Sequence, residues 1–323
     1  MDTDKPISLP VIEVIEPVVQ KKLDESNIEW TGVTWNPWQG CIKVSPECKN
    51  CYMYRDKKRY GKDPKKIVRS SPATFNKPLK WQREVEQGLR TGINRYVFTC
   101  SWSDWFIEQA DGWRAEAWEI VRRCPGLIFQ ILTKRHNRMI HNLPPFWEEI
   151  RDRVILGVSC GDEQTAELRL PVLGELKDLG FTTFVSYEPA LGPVPWSTFG
   201  TYIPRSGGRI RPVMDQLISG GESGPGARIS HPDLHRAARD FAVAWGVKYL
   251  FKQWGEWWPL SQAAFRPAPS WQGKFQTYVS NGSSGDAART ESVYRVGKKA
   301  AGRLLDGREW NEMPATAGQA VLA

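Results

Sequence analysis

Histidine is scarce in this chain: four in 323 residues, at positions 136, 141, 231 and 235. They form no recognisable metal motif, so a histidine-built zinc site is not expected. No apolar run approaches the roughly 20 residues that cross a bilayer, which excludes a spanning helix. The opening MDTDKPISLP lacks the basic segment and apolar core of a secretory leader, so the cytosol is the expected compartment and no membrane partner is expected. The glycines of ISGGESGPGAR are not followed by the lysine and hydroxyl of a phosphate-binding P-loop, and the first strand carries no dinucleotide fingerprint.

Cysteine is present but unevenly spread. Cys41, Cys48 and Cys51 fall in the run WNPWQGCIKVSPECKNCYMYRDKKR, whereas Cys100, Cys124 and Cys160 are scattered. A disulfide framework is a feature of short secreted chains, so a reducing compartment with one metal site accounts better for the clustered three. Three thiolates can hold three irons of a 4Fe-4S cluster and leave the fourth open to a ligand. Zinc in a closed structural site wants four ligands, and no fourth stands at zinc-finger spacing, the next histidine being His136. Of the other thiols, Cys160 follows a strand and is a candidate reactive group.

The net charge of +8 is unevenly distributed. Asp2, Asp4, Glu13, Glu16, Asp24, Glu25 and Glu29 make the first thirty residues acidic. Residues 55–69 then carry Arg55, Lys57, Lys58, Arg59, Lys62, Lys65, Lys66 and Arg69 against Asp56 and Asp63. A cationic run of this density is either a solvated face or an electrostatic footprint for DNA or RNA, and its place beside the thiols favours neither alone. Nothing in the sequence fixes an oligomeric state.

Short β-branched and aromatic runs at 31–35, 95–100, 127–132, 154–159, 182–186, 216–219 and 248–252 read as strands. Amphipathic stretches near 80–90, 112–123, 136–142, 164–179 and 231–245 read as helices between them, the last capped by Asp233 and stopped by Gly246. Strand and helix in alternation specify an α/β fold with a parallel sheet, here a partial or complete TIM-like barrel. The expected organisation is an arm over 1–29, a barrel domain over 30–258 with its thiol loop at 35–54 and an insertion at 189–213, and a loop with a C-terminal extension over 259–323.

Ligands of parallel α/β proteins bind beyond the carboxyl ends of the strands. Polar residues collect there: Ser101 and Asp104; Lys134 and Arg135; Ser159; Glu188; Gly220, Gly221 and Glu222; and Lys252. Lys134, Arg135 and Lys252 suit an anion, and Glu188 and Glu222 suit an amine, while the same charges can instead pair with one another as a network across the mouth. Gly220 and Gly221 let backbone approach a ligand closely, or simply form a tight turn. Trp35, Trp38, Trp102, Trp105, Trp254, Trp257 and Trp258 stand in these loops, where they either stack a base or pack the mouth.

The segments TWNPWQGCIKVSPECKNCYMYR, VFTCSWSDWF, FQILTKRHNRM, LGVSCGDEQTAELRLPVL, FVSYEPALGP, LISGGESGPGAR and FKQWGEW together resemble the phage Gp37/Gp68 family. That family resembles radical S-adenosylmethionine enzymes. The resemblance implies a radical-SAM-like barrel in which Cys41, Cys48 and Cys51 hold a 4Fe-4S cluster. S-adenosylmethionine would sit at the open iron, with Ser101, Asp104, Ser159, Glu188, Gly220, Gly221 and Glu222 around it. The gap between Cys41 and Cys48 is longer than the common radical-enzyme pattern has, and its GGE segment follows the sixth strand rather than the second. The implied protein is a cytoplasmic radical-SAM-type iron-sulfur enzyme, served by an electron donor, that modifies or repairs nucleic acid or another polyanion. Lys57, Lys58, Arg59, Lys65, Lys66, Lys134, Arg135 and Lys252 would meet the substrate or its phosphates. Two alternatives stand beside it: a non-radical enzyme using an open-site cluster, and a non-catalytic nucleic-acid-binding protein stabilised by zinc or iron-sulfur.

Overall fold

The computed structural model describes residues 23–26, 28–265, 275–280 and 289–314. Residues 1–22 and 27 of the expected arm lie outside the described residues, as do 266–274, 281–288 and 315–323 of the expected extension.

All seven sequence-read strands form: β1 (Val33–Trp35), β2 (Tyr96–Thr99), β3 (Ile128–Thr133), β4 (Val154–Ser159), β5 (Thr182–Tyr187), β6 (Gln216–Gly220) and β7 (Lys248–Gln253). Each pairs in parallel with the next in sequence, giving one seven-stranded sheet in chain order. β1 and β7 are its two edges and do not pair with each other, so the barrel is partial, an open TIM-like half-barrel with flanking helices. The strands are buried on both faces, which is why β3, β4 and β6 read as nearly continuous apolar runs rather than alternating ones.

Six helices matter for the site or its support: α1 (Tyr52–Arg59), α2 (Lys77–Glu86), α3 (Asp111–Arg122), α4 (Glu163–Arg169), α5 (Pro171–Asp178) and α6 (Pro232–Trp245). The single helix expected over 164–179 is two, because Pro171 lacks the amide needed to continue the first. The stretch 136–142 is two 3-10 turns, His136–Arg138 and Ile140–Asn142. α6 ends as expected at Gly246, whose φ of 67° is a left-handed cap suited to glycine. At its other end the capping side chain is His231, which accepts from the Asp233 amide, not Asp233 itself.

Outward-facing strand residues such as Val97, Phe129, Leu156, Val185 and Leu217 share one core with Val121, Leu173, Ala238 and Phe241 of the helices. Burying a side chain of this size fully contributes about 1.5–3 kcal/mol, so this interlayer is the main cohesive unit. Inward-facing residues of the same strands form a second core of Tyr96, Phe98, Ile128, Ile155, Phe184, Ile218 and Leu250 around Trp30. Following the two-residue period toward the carboxyl ends, this inner face changes from apolar to polar: Ile128 gives way to Lys134, Ile155 to Ser159, Phe184 to Ser186 and Glu188, and Leu250 to Lys252. Gly157 occupies the inner face of β4 because Phe184 leaves no room, a Cβ there falling 2.3 Å from its ring.

The 189–213 connection contains the helix Trp196–Phe199 and a two-stranded ribbon of Thr201–Tyr202 with Arg211–Pro212. The region read as a loop after residue 258 contributes strands instead. Trp257–Pro259, Arg289–Arg295 and Phe275–Ser280 form a three-stranded antiparallel sheet. Among the described residues no helix is long and apolar enough to cross a membrane.

Candidate functional site

The polar inner rows open into a cavity of about 670 Å³, within the range that holds a small ligand. Its walls come from the carboxyl ends of the strands, from the thiol loop with the start of α1, and from Glu25, Ser26, Ile28, Glu29, Trp30 and Lys298. Cys41, Cys48, Cys51, Ser101, Asp104, Lys134, Arg135, Ser159, Glu188, Gly221, Glu222 and Lys252 all line it. Gly220 and Cys160 do not, and neither do the cations Lys57, Lys58, Arg59, Lys65 and Lys66.

Most charges in the mouth are already paired. Lys252 Nζ lies 2.8 Å from Glu188 Oε1. Asp104 accepts from Thr133 Oγ1 at 2.7 Å and from the amides of Phe106 and Lys134, and pairs with Arg135 at 3.1 Å. Glu222 accepts from Asn50 at 2.9 Å and from both the guanidinium and the amide of Arg228. Burial raises the Glu222 pKa, but the hydrogen bonds from Arg228 and Asn50 outweigh it and hold the carboxyl below its usual range. Lys134, like Lys43 and Lys298 of the same lining, has no carboxylate within ion-pair distance among the described residues; its ammonium donates to Ser159 Oγ at 3.2 Å.

Gly221, directly after β6, has a structural reason. A Cβ at Gly221 would sit 2.0 Å from the Trp254 carbonyl oxygen, and the Gly221 amide donates to Gln253 O. Of the tryptophans read into the site loops, only Trp102 reaches the cavity; Trp35, Trp38 and Trp105 instead pack together with ring centroids 5.2–5.7 Å apart. Cys160 is fully buried, and burial, then the charge of Glu47, pushes its thiol far above the ordinary range.

The thiol loop is held by residues that sequence reading passed over. Glu47, buried between Pro46 and Cys48, pairs with buried Arg169 of α4 at 2.9 Å, and Arg169 also donates to Ser159 O at 2.6 Å. Arg228 reaches Pro46 O at 3.0 Å, and Asn50 donates to Gly226 O at 2.7 Å. Tyr52 donates to Ser101 O and Tyr54 to Cys41 O, each at 2.5 Å. One signal for the latch was available: Arg169 interrupts the buried stripe formed by Thr165, Ala166 and Leu170.

This geometry corrects the iron-sulfur expectation. Among the described residues no group of three or more His, Cys, Asp or Glu side chains could hold a metal ion. Cys41, Cys48 and Cys51 are free thiols. Cys41 Sγ faces Ile42 O at 3.6 Å and Arg135 Nη1 at 3.8 Å, while Cys48 Sγ turns to Ser45 Oγ at 3.8 Å. Burial, then the Asp104 carboxylate, pushes the Cys41 thiol up to about 11, against the thiolate that a metal requires. The 4Fe-4S cluster therefore falls, and with it S-adenosylmethionine at an open iron, the radical-SAM enzyme and its electron donor. The two alternatives, an open-site cluster enzyme and a zinc- or iron-sulfur-stabilised binding protein, fall for the same reason.

The basic run is anchored to this loop. Trp38–Gln39 pairs antiparallel with Val68–Arg69, and the Cys41 amide donates to Pro64 O at 3.0 Å. Lys57 is buried, whereas Lys58, Arg59, Lys62, Lys65 and Lys66 are exposed.

Fold and site together define an α/β half-barrel protein with a ligand-sized polar cavity at the carboxyl ends of its strands. Residues 25–314 match the family described as "Protein of unknown function (DUF5131)", and the chain belongs to that family. No curated protein and no solved structure matches it.

Proposed function

We propose that this protein binds nucleic acid and receives one of its phosphate-bearing nucleotides in the half-barrel cavity. The carrying observation is Lys134, a cation inside the cavity that lacks a carboxylate partner among the described residues while its neighbours Arg135 and Lys252 are matched. A half-buried ammonium with only a hydroxyl beside it is a ready contact for a phosphate, with Ser159 as a second donor. The exposed cations next to the mouth support the same partner. Lys58, Arg59, Lys62, Lys65 and Lys66 have no carboxylate within ion-pair distance among the described residues, so their charge is available to a phosphate backbone.

Calorimetric titration with nucleoside monophosphates tests the cavity. Losing one charge-assisted hydrogen bond costs about 1.5–3 kcal/mol, so Lys134→Met should weaken binding about ten- to a hundred-fold. Equal affinity in the variant, or no binding by the unmodified protein, rejects this reading.

A further inference from the structure

Besides its charges and thiols, the segment 41–69 carries exposed apolar and aromatic side chains. Ile42, Val44, Tyr52, Tyr60 and Val68 all stand open to solvent within this one stretch. They alternate with the exposed cations Lys49, Lys58, Arg59, Lys62, Lys65 and Lys66. Tyr60 is the extreme case, 66% exposed at the carboxyl end of α1, and its ring meets no other aromatic ring or cation among the described residues. Tyr52, at the other end of α1, is exposed yet held by its hydroxyl on Ser101 O, which fixes its ring at the rim of the cavity.

From this arrangement we infer that the nucleic acid is single-stranded, with Tyr60 as a stacking platform and Tyr52 at the entrance. The inference rests on the nucleic-acid reading above and deepens it. In a duplex the bases are already stacked on one another, so an exposed ring gains little from them and a purely cationic face would serve. In a single strand every base offers a free face, and aromatic rings set among cations hold it without reading its sequence. The cavity adds a second argument. Lys134 lies inside the mouth, and a paired nucleotide cannot leave its partner to reach it without unstacking, whereas an unpaired one can. A strand running along α1 from Tyr60 to Tyr52 keeps its phosphates beside the exposed lysines and delivers one nucleotide to the cavity.

Fluorescence anisotropy with labelled mixed-sequence DNA and RNA oligonucleotides, each in single-stranded and duplex form, decides the matter. The single strand should bind more tightly than the duplex. Tyr60→Ala should weaken it about ten- to a hundred-fold with the salt dependence unchanged, and Tyr60→Phe should bind as the unmodified protein does. Replacing Lys58, Lys62, Lys65 and Lys66 by Gln should instead flatten the salt dependence. Equal or tighter duplex binding, or no effect of Tyr60→Ala, overturns the single-strand inference and leaves the nucleic-acid reading in place. Failure to bind either form in low salt overturns both.

Discussion

His235 is a buried base with no route to solvent. Its Nδ1 lies 2.5 Å from Ser219 Oγ and its Nε2 2.8 Å from Ser230 Oγ, so both ring nitrogens are satisfied within the wall between β6 and α6. Burial, then the charges of His231 and Arg236, moves its pKa down from 6.5 to about 3. The unfolded chain takes up this proton near pH 6.5 and the folded chain does not. The stability it contributes is therefore intact above pH 6.5 and drains away as the pH falls toward 3, at up to about 1.4 kcal/mol per unit. His235→Gln should be less stable than the unmodified protein at pH 7, and urea midpoints of the two should converge as the pH is lowered to 4. A constant gap across that range would place the acid sensitivity elsewhere. The short spacing of His231 and His235 suggested no role in the sequence. Their separate duties, one as a helix cap and one as a buried acceptor between serines, depend on how α6 lies against β6.

Among the elements, the seven strands were legible because a parallel strand covered on both faces must be apolar almost throughout, and such runs stand out between polar connections. The 3-10 turns at 136–142 were not, since an amphipathic period over seven residues suits a short helix and a pair of turns equally. The thiol loop misled for a different reason. Three cysteines in eleven residues carry a strong local signal, but where their sulfurs point is set by partners far along the chain. Glu47 and Arg169 are 122 residues apart, and Asn50 and Glu222 are 172 apart. The Glu47–Arg169 latch is testable as an element-level device. Arg169→Met strands a buried carboxylate and should destabilise the fold by about 3–5 kcal/mol. Adding Glu47→Met should restore most of that loss while leaving the loop more open to protease. Urea unfolding and limited proteolysis of the single and double variants check the two parts, and an unrepaired double variant would mean that the pair is not the latch.

At the scale of the whole molecule, an open half-barrel has two edges to protect. Residues 310–312 cover the β7 edge. The Phe251 amide donates to Trp310 O at 3.0 Å, the Glu312 amide donates to Tyr249 O at 3.1 Å, and Leu250 bridges Asn311 in antiparallel fashion. Asp306 ties this closing segment to α6 and to the smaller sheet's region through Arg236, Arg239 and Gln262, whose contacts hold its carboxyl well below the usual range despite burial. A chain ending after Glu309 should expose a row of unpaired backbone groups. Faster amide exchange at Tyr249 and Phe251, together with concentration-dependent self-association on a sizing column, is the expected result. Unchanged exchange would mean that the edge is protected by something else.

The order of the strands carries one more consequence. Because each strand pairs with the one before it, every new strand leaving the ribosome finds its partner already made, and the sheet can lengthen vectorially during synthesis. Pairing between sequence neighbours also keeps contact order low for a parallel sheet, which favours rapid assembly. The cover of β7 follows it in the chain, so the nascent sheet keeps an open edge until residues 310–312 have emerged. The half-barrel is built like a zip that carries its own end-stop.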